Sequence, residues 1–176
     1  MNLRSRVGLT FAFLWALLLS ACVSLVSPYD PVFDQSLNKL SDDTAVFLAG
    51  VTSGGPERSF SSREAIAYYA TTYNVLDRLS ERARATRAIV PCPTNAQLAE
   101  FGQSESSRSQ LPDDYKNFDC REYQLYSVRF YVDQLYFLHE SDGQLKKLEA
   151  VAAGRSLQAS IISAIDTFMT NKSATQ

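Results

Sequence analysis

His139 is the one histidine of the chain. An imidazole offers proton transfer near neutral pH and metal ligation. The residues around it support neither. A di-iron carboxylate bundle requires Glu three residues before the histidine, and position 136 is Tyr. His139-Glu140-Ser141-Asp142 does not continue into a zinc-protease helix motif. Serines and carboxylates abound, but no serine sits in a nucleophile elbow and no carboxylate pair stands out from helix-surface charge. The sequence therefore reads as non-enzymatic, with no catalytic residue, no metal site and no cofactor. His139 reads as a helix-end histidine making a local hydrogen bond. The three thiols, Cys22, Cys92 and Cys120, are what remains.

Cys22 stands at the end of a secretory pattern. Arg4 and Arg6 precede an apolar run from Val7 to Leu19, too short for a comfortable membrane span, and small residues follow. Leu19-Ser20-Ala21-Cys22 resembles the lipobox of a bacterial lipoprotein precursor, a likeness confined to residues 1 to 23. The resemblance implies a diacylglyceryl group on the Cys22 thiol, cleavage between Ala21 and Cys22, and acylation of the new amine. Multiple acyl chains anchor a protein stably, since each buried methylene contributes about 0.8 kcal/mol. Val23 in place of Asp after the cysteine implies, by resemblance to enterobacterial sorting, the outer membrane. The expected location is the periplasmic face of that membrane, within the cell envelope.

Without residues 1 to 21 the chain loses Arg4 and Arg6, leaving 15 Lys and Arg against 19 Asp and Glu, a net charge of −4. Acidic and basic residues are interspersed, which argues against a nucleic-acid partner. In an exported domain the even pair Cys92 and Cys120 reads as a disulfide rather than a metal or redox site. The bridge would close a loop of 29 residues, worth about 3.6 kcal/mol in the chain-entropy model.

The remaining pattern is helical. Residues 22 to 29 form a short tether whose seven residues after Cys22 reach at most about 25 Å. Residues 30 to 171 form one domain, and residues 172 to 176 a frayed tail. Asp30-Pro31 predicts a helix start, with Phe33, Leu37, Leu40, Thr44, Phe47 and Val51 as its seam and Gly54-Gly55-Pro56 as its stop. A second helix is expected from Ser61, where Ser61-Ser62-Arg63-Glu64 matches a capping box with Phe60 in the staple position. Its predicted apolar face is Ile66, Tyr69, Tyr73, Leu76 and Ala83, with Leu79 flanking. Arg78, Arg82, Arg84 and Arg87 read as a solvated face, with lipid-headgroup binding the alternative. Residues 91 to 118 form a long connection, with a one-turn or two-turn helix expected after Thr94-Asn95-Ala96-Gln97. A fourth helix is expected from about Gln144 to Thr170, with Leu157, Ile161, Ile165 and Phe168 on one stripe and a bend near Gly154. The predicted fold is all-α, an antiparallel four-helix bundle with one long disulfide-tied connection between helices two and three.

The third helix, expected from about Asp119 to Glu140, carries two opposed apolar faces. Leu125, Val128, Val132, Leu135 and His139 fall on one side; Tyr123, Tyr126, Phe130 and Phe137 fall on the other. One stripe suffices for a surface helix. The aromatic face either meets further core or binds a partner, because Tyr and Phe give large contact area at low entropic cost. The leading expectation is a lipid-anchored envelope adaptor or accessory protein that binds another envelope protein. The alternatives are a bundle holding a small apolar or lipid ligand near Tyr69 and Tyr73, and an inhibitor of an envelope protein or receptor. Oligomeric state is not readable from this pattern.

Overall fold

Among the described residues, four long helices carry the fold. The structure is a computed structural model that describes residues 30–88 and 118–173. The helices are α1 (Pro31–Ser53), α2 (Arg63–Thr86), α3 (Cys120–Asp142) and α4 (Lys147–Ser173), with a short 3₁₀ turn, Pro56–Arg58, between α1 and α2. Among the described residues there is no strand, only an isolated bridge between Ser59 and Gln144. The all-α expectation holds. The signal, Cys22, the tether, Cys92 and the helix expected after Thr94 lie outside the described residues.

Local chemistry sets the ends. Asp30 accepts a hydrogen bond from Val32 N (3.1 Å) and Pro31 occupies the first turn, so α1 starts where its missing donor costs nothing. Gly54 closes the helix at φ 82°, a left-handed backbone that side chains with a Cβ rarely adopt. The start of α2 differs from expectation by one residue. Ser62, not Ser61, is the cap, accepting from Ala65 N (3.0 Å). Ser61 pairs instead with the Ser59 hydroxyl (3.2 Å), and the Ser61–Glu64 capping box does not form. The reciprocal box appears on α3, where the Asp119 carboxylate accepts from Arg121 N and Glu122 N while Glu122 accepts from Asp119 N (3.1 Å).

Contacts fix the directions of the helices. Phe60 N donates to Gly143 O (3.0 Å) and Leu145 N to Arg58 O (3.0 Å), so the α1–α2 and α3–α4 connections lie side by side at one end. At the other end Arg82 of α2 pairs with Asp30, Arg84 of α2 with Glu122 of α3, and Phe33 of α1 stacks on Phe168 of α4 at 4.3 Å. Between the ends, Ser41 of α1 meets Gln158 of α4 (3.1 Å). Successive helices therefore alternate in direction, and α4 returns antiparallel beside α1.

The core follows the seams with two corrections. All six seam positions of α1 are buried, as are Leu125, Val128, Val132, Leu135 and His139 of α3. On α2 the buried face is Ala65, Tyr68, Tyr69, Thr72, Leu76, Leu79 and Ala83, whereas Ile66 is 56% exposed. The helix must face both α1 and α3, so its buried arc includes small and polar residues that carry little hydrophobic signal. Tyr68 turns to α1, stacking on Phe47 (4.0 Å) and bonding Thr44 (3.0 Å); Tyr69 turns to α3. The second correction concerns α4, which starts at Lys147 rather than Gln144. Leu145 is fully buried in the preceding turn. From there α4 is one element, and Gly154 marks its close approach to α1: a Cβ there would come 2.5 Å from Leu48 Cδ1.

Candidate partner-binding site

Of the two readings of the aromatic face of α3, further core or open contact surface, each holds for part of it. Phe130 is 44% exposed and Phe137 is 67% exposed on the helix's outward face, while the aliphatic face opposite lies in the core. Tyr123 and Tyr126 are half-buried, and the Tyr126 ring meets Phe118 at 6.3 Å in an edge contact. The four aromatic positions thus divide: the pair near the start of the helix is partly covered, and the pair in its second half is open.

Beside that open pair runs a groove between α2 and α3 with a volume of about 650 Å³, lined by Phe60, Ile66, Tyr69, Ala70, Tyr73, Arg129, Asp133 and Tyr136. Its floor is aromatic and already packed. Tyr136 sits edge-on to Phe60 (5.2 Å) and to Tyr69 (5.0 Å), so these rings touch one another instead of enclosing a chamber. Polar contacts cross the groove. The Tyr73 hydroxyl donates to Asp133 Oδ1 (2.8 Å), Arg129 pairs with Asp77, and the Arg129 guanidinium lies 5.4 Å from the Tyr73 ring centre. Burial first, and then the bond to Asp133, holds the Tyr73 phenol well above its ordinary value. Tyr73 therefore remains a donor at neutral pH.

Under the groove lies a network that the sequence reading missed. His139 is fully buried, and its bonds are long-range rather than local. Nε2 lies 2.9 Å from Arg58 O in the α1–α2 connection, and Nδ1 lies 3.1 Å from the Tyr69 hydroxyl. A carbonyl only accepts, so Nε2 carries the proton, and Nδ1 of the neutral ring accepts from the Tyr69 hydroxyl, which also lies 3.4 Å from Leu135 O. Burial pushes the imidazole below its ordinary value, the bond to Arg58 O opposing. Phe60 and Phe47 close around the ring at 5.4 and 6.1 Å. Arg58 O accepts from both His139 and Leu145 N, so one carbonyl joins the two connections. His139 is a structural fastener with no open coordination side.

The arginine row of α2 lies at the solvent surface, as expected of a solvated face, and three of its members also pair with carboxylates. Arg82 binds Asp30 through two nitrogens (2.6 and 3.1 Å), and Arg84 and Arg87 both bind Glu122, which is 4% exposed. Arg121, 1% exposed, bonds Asp119 (2.8 Å) and the Thr86 hydroxyl (3.2 Å). Three of the four guanidiniums are thus cross-helix partners while staying exposed, and Arg78 is exposed as well. Charge pairing between helices leaves no periodic mark in a sequence. The Asp119–Glu122 spacing was the readable clue, as a capping-box pattern.

Cys120 is 2% exposed at the first turn of α3. Among the described residues no group of three or more His, Cys, Asp or Glu is placed to hold a metal ion. No described helix is long and apolar enough to cross a membrane. No protein family, no curated protein and no solved structure matches the chain.

Proposed function

We propose that this chain is a lipid-anchored adaptor of the bacterial cell envelope, held to the membrane through Cys22 and binding another protein with the outward face of α3. The observation that carries the reading is the exposure of Phe130 and Phe137 on a helix whose opposite face already supplies its share of the core. Large aromatic rings left in water on a rigid element are what a contact surface requires. The anchor follows from the resemblance of residues 19 to 22 to a lipobox, and the outer membrane from Val23. The Cys92–Cys120 bridge belongs to the same reading. Cys120 is a buried cysteine, and the bridge would tie the long connection to the foot of α3.

The ligand-carrier alternative draws support from the Tyr69 and Tyr73 lining of the α2–α3 groove. It ranks second because drug-sized ligands are held in sites that bury most of their surface, and here the rings pack on each other beneath a solvent-open trough. Among the described residues no surface feature favours the inhibitor reading.

Replacing both Phe130 and Phe137 with Ser tests the adaptor reading. Capture of membrane proteins by the crosslinked, acylated chain should be lost, while the thermal midpoint shifts by the equivalent of about 0.5 kcal/mol per exposed site. A loss of roughly 3 to 5 kcal/mol per ring would mark them as core and refute the contact surface.

A further inference from the structure

We propose that the exposed face of α3 pairs with the same face of a second copy of this chain, the two α3 helices running parallel. The proposal rests on the reading of that face as a protein-contact surface and takes a second copy of this chain, in place of an unlike protein, as what it binds. Phe130 and Phe137 are seven residues apart and open to solvent. Seven-residue apolar spacing is what one helix presents to another in a two-stranded seam, because two turns bring the side chains back to within about 20°.

The flanks of this stripe are unlike, and that selects the partner. On the side toward α2 lie the carboxylates of Asp133 and Glu140; on the other side lie the amide of Gln134 and the hydroxyl of Ser141, all exposed. A two-fold axis along the helices turns the carboxylate flank of each copy toward the donor flank of the other. Asp133 then meets Gln134 of the second copy, a contact that occurs twice; the Ser141 hydroxyl already donates to Leu138 O (3.2 Å) and Glu140 already accepts from Tyr136 (3.3 Å). Tyr73 occupies only Oδ1 of Asp133, so the second oxygen is available to accept. An antiparallel pair would set Asp133 against its own counterpart, a like-charge contact that costs stability. Arg129, the cation at this rim, is held by Asp77 and the Tyr73 ring, so it does not repel its copy across the seam.

Chain polarity points the same way. The tether leads from Cys22 to Asp30, at the end of the bundle opposite the two short connections, and reaches at most about 25 Å. A 23-residue α1 is about 35 Å long. Copies anchored through Cys22 to one membrane therefore stand with their Asp30 ends the same way round, which a parallel seam requires.

The test uses the full acylated chain in its own membrane, with benzoylphenylalanine placed at position 130 or, separately, at 137, and illumination. Both positions should give an adduct of twice the chain mass, joined to α3 of the second copy. Phe130→Ser should lower the yield from position 137 at least tenfold. Gln134→Lys should raise it, by setting an ammonium against Asp133 of the second copy. A fall with Gln134→Lys, or an adduct joined outside α3, would overturn the parallel pair. Adducts with a different protein alone would overturn the second copy as partner and leave the adaptor reading standing. No adduct from either position would overturn both.

Discussion

Lowering the pH from 7.5 to 5.5 should destabilise the folded domain, and His139→Gln should abolish most of that loss. The imidazole is fully buried, donates from Nε2 to Arg58 O and accepts at Nδ1 from Tyr69. Burial holds it below the ordinary histidine value of 6.5. The unfolded chain therefore takes up a proton below about pH 6.5 that the folded chain refuses. A base whose folded value is lowered contributes full stability above 6.5 and loses it as the pH falls toward the folded value. The linkage slope is at most about 1.4 kcal/mol per pH unit, so the step from pH 6.5 to 5.5 costs at most about 1 kcal/mol. In a domain of this size that is roughly 3 °C of Tm. His139 is the one histidine of the chain, so no other side chain with that ordinary value contributes. Stopping at pH 5.5 keeps clear of ordinary carboxylate titration. Melts followed by far-ultraviolet circular dichroism at half-unit intervals measure the slope. An unchanged slope in His139→Gln, or stability that rises on acidification, would show that the ring is not held neutral in the fold.

Cys22→Ala should leave unprocessed precursor and abolish incorporation of radioactive fatty acid; absence of label on the unaltered protein would end the anchor argument. The oxidised, processed chain should show no free thiol to a thiol reagent under denaturing conditions, and reduction should lower its unfolding free energy by about 3.6 kcal/mol if the loop-entropy account holds. Reactive thiols at Cys92 and Cys120 in periplasmic material would refute the bridge.

Much of the architecture was legible because it is written locally. Asp30-Pro31 and Gly54 set the bounds of α1 through a cap and a left-handed backbone, and the four-and-three spacing of Phe33 to Val51 gave its buried face residue for residue. The aliphatic face of α3 was equally plain. Periodicity fails where a helix serves two neighbours at once. The arc of α2 centres between Tyr68, which faces α1, and Tyr69, which faces α3, and it includes Ala65 and Thr72 while leaving Ile66 in water. A hydrophobic count weights Ile above Thr; packing asks only which side of the helix is shared.

The sequence by itself determined the helices, the feature read as an anchor and the existence of a second apolar face on α3, because each depends on residues within a few turns of one another. Only the tertiary structure decided what that face does in the folded chain. The placement of α2 beside α3 leaves Phe130 and Phe137 in solvent, whereas Phe118 meets Tyr126. His139 took its role from Arg58 and Tyr69, 81 and 70 residues away, and Glu122 from Arg84 and Arg87. Such partners meet only when separate helices pack, and no spacing along the chain encodes which polar group will be buried against which.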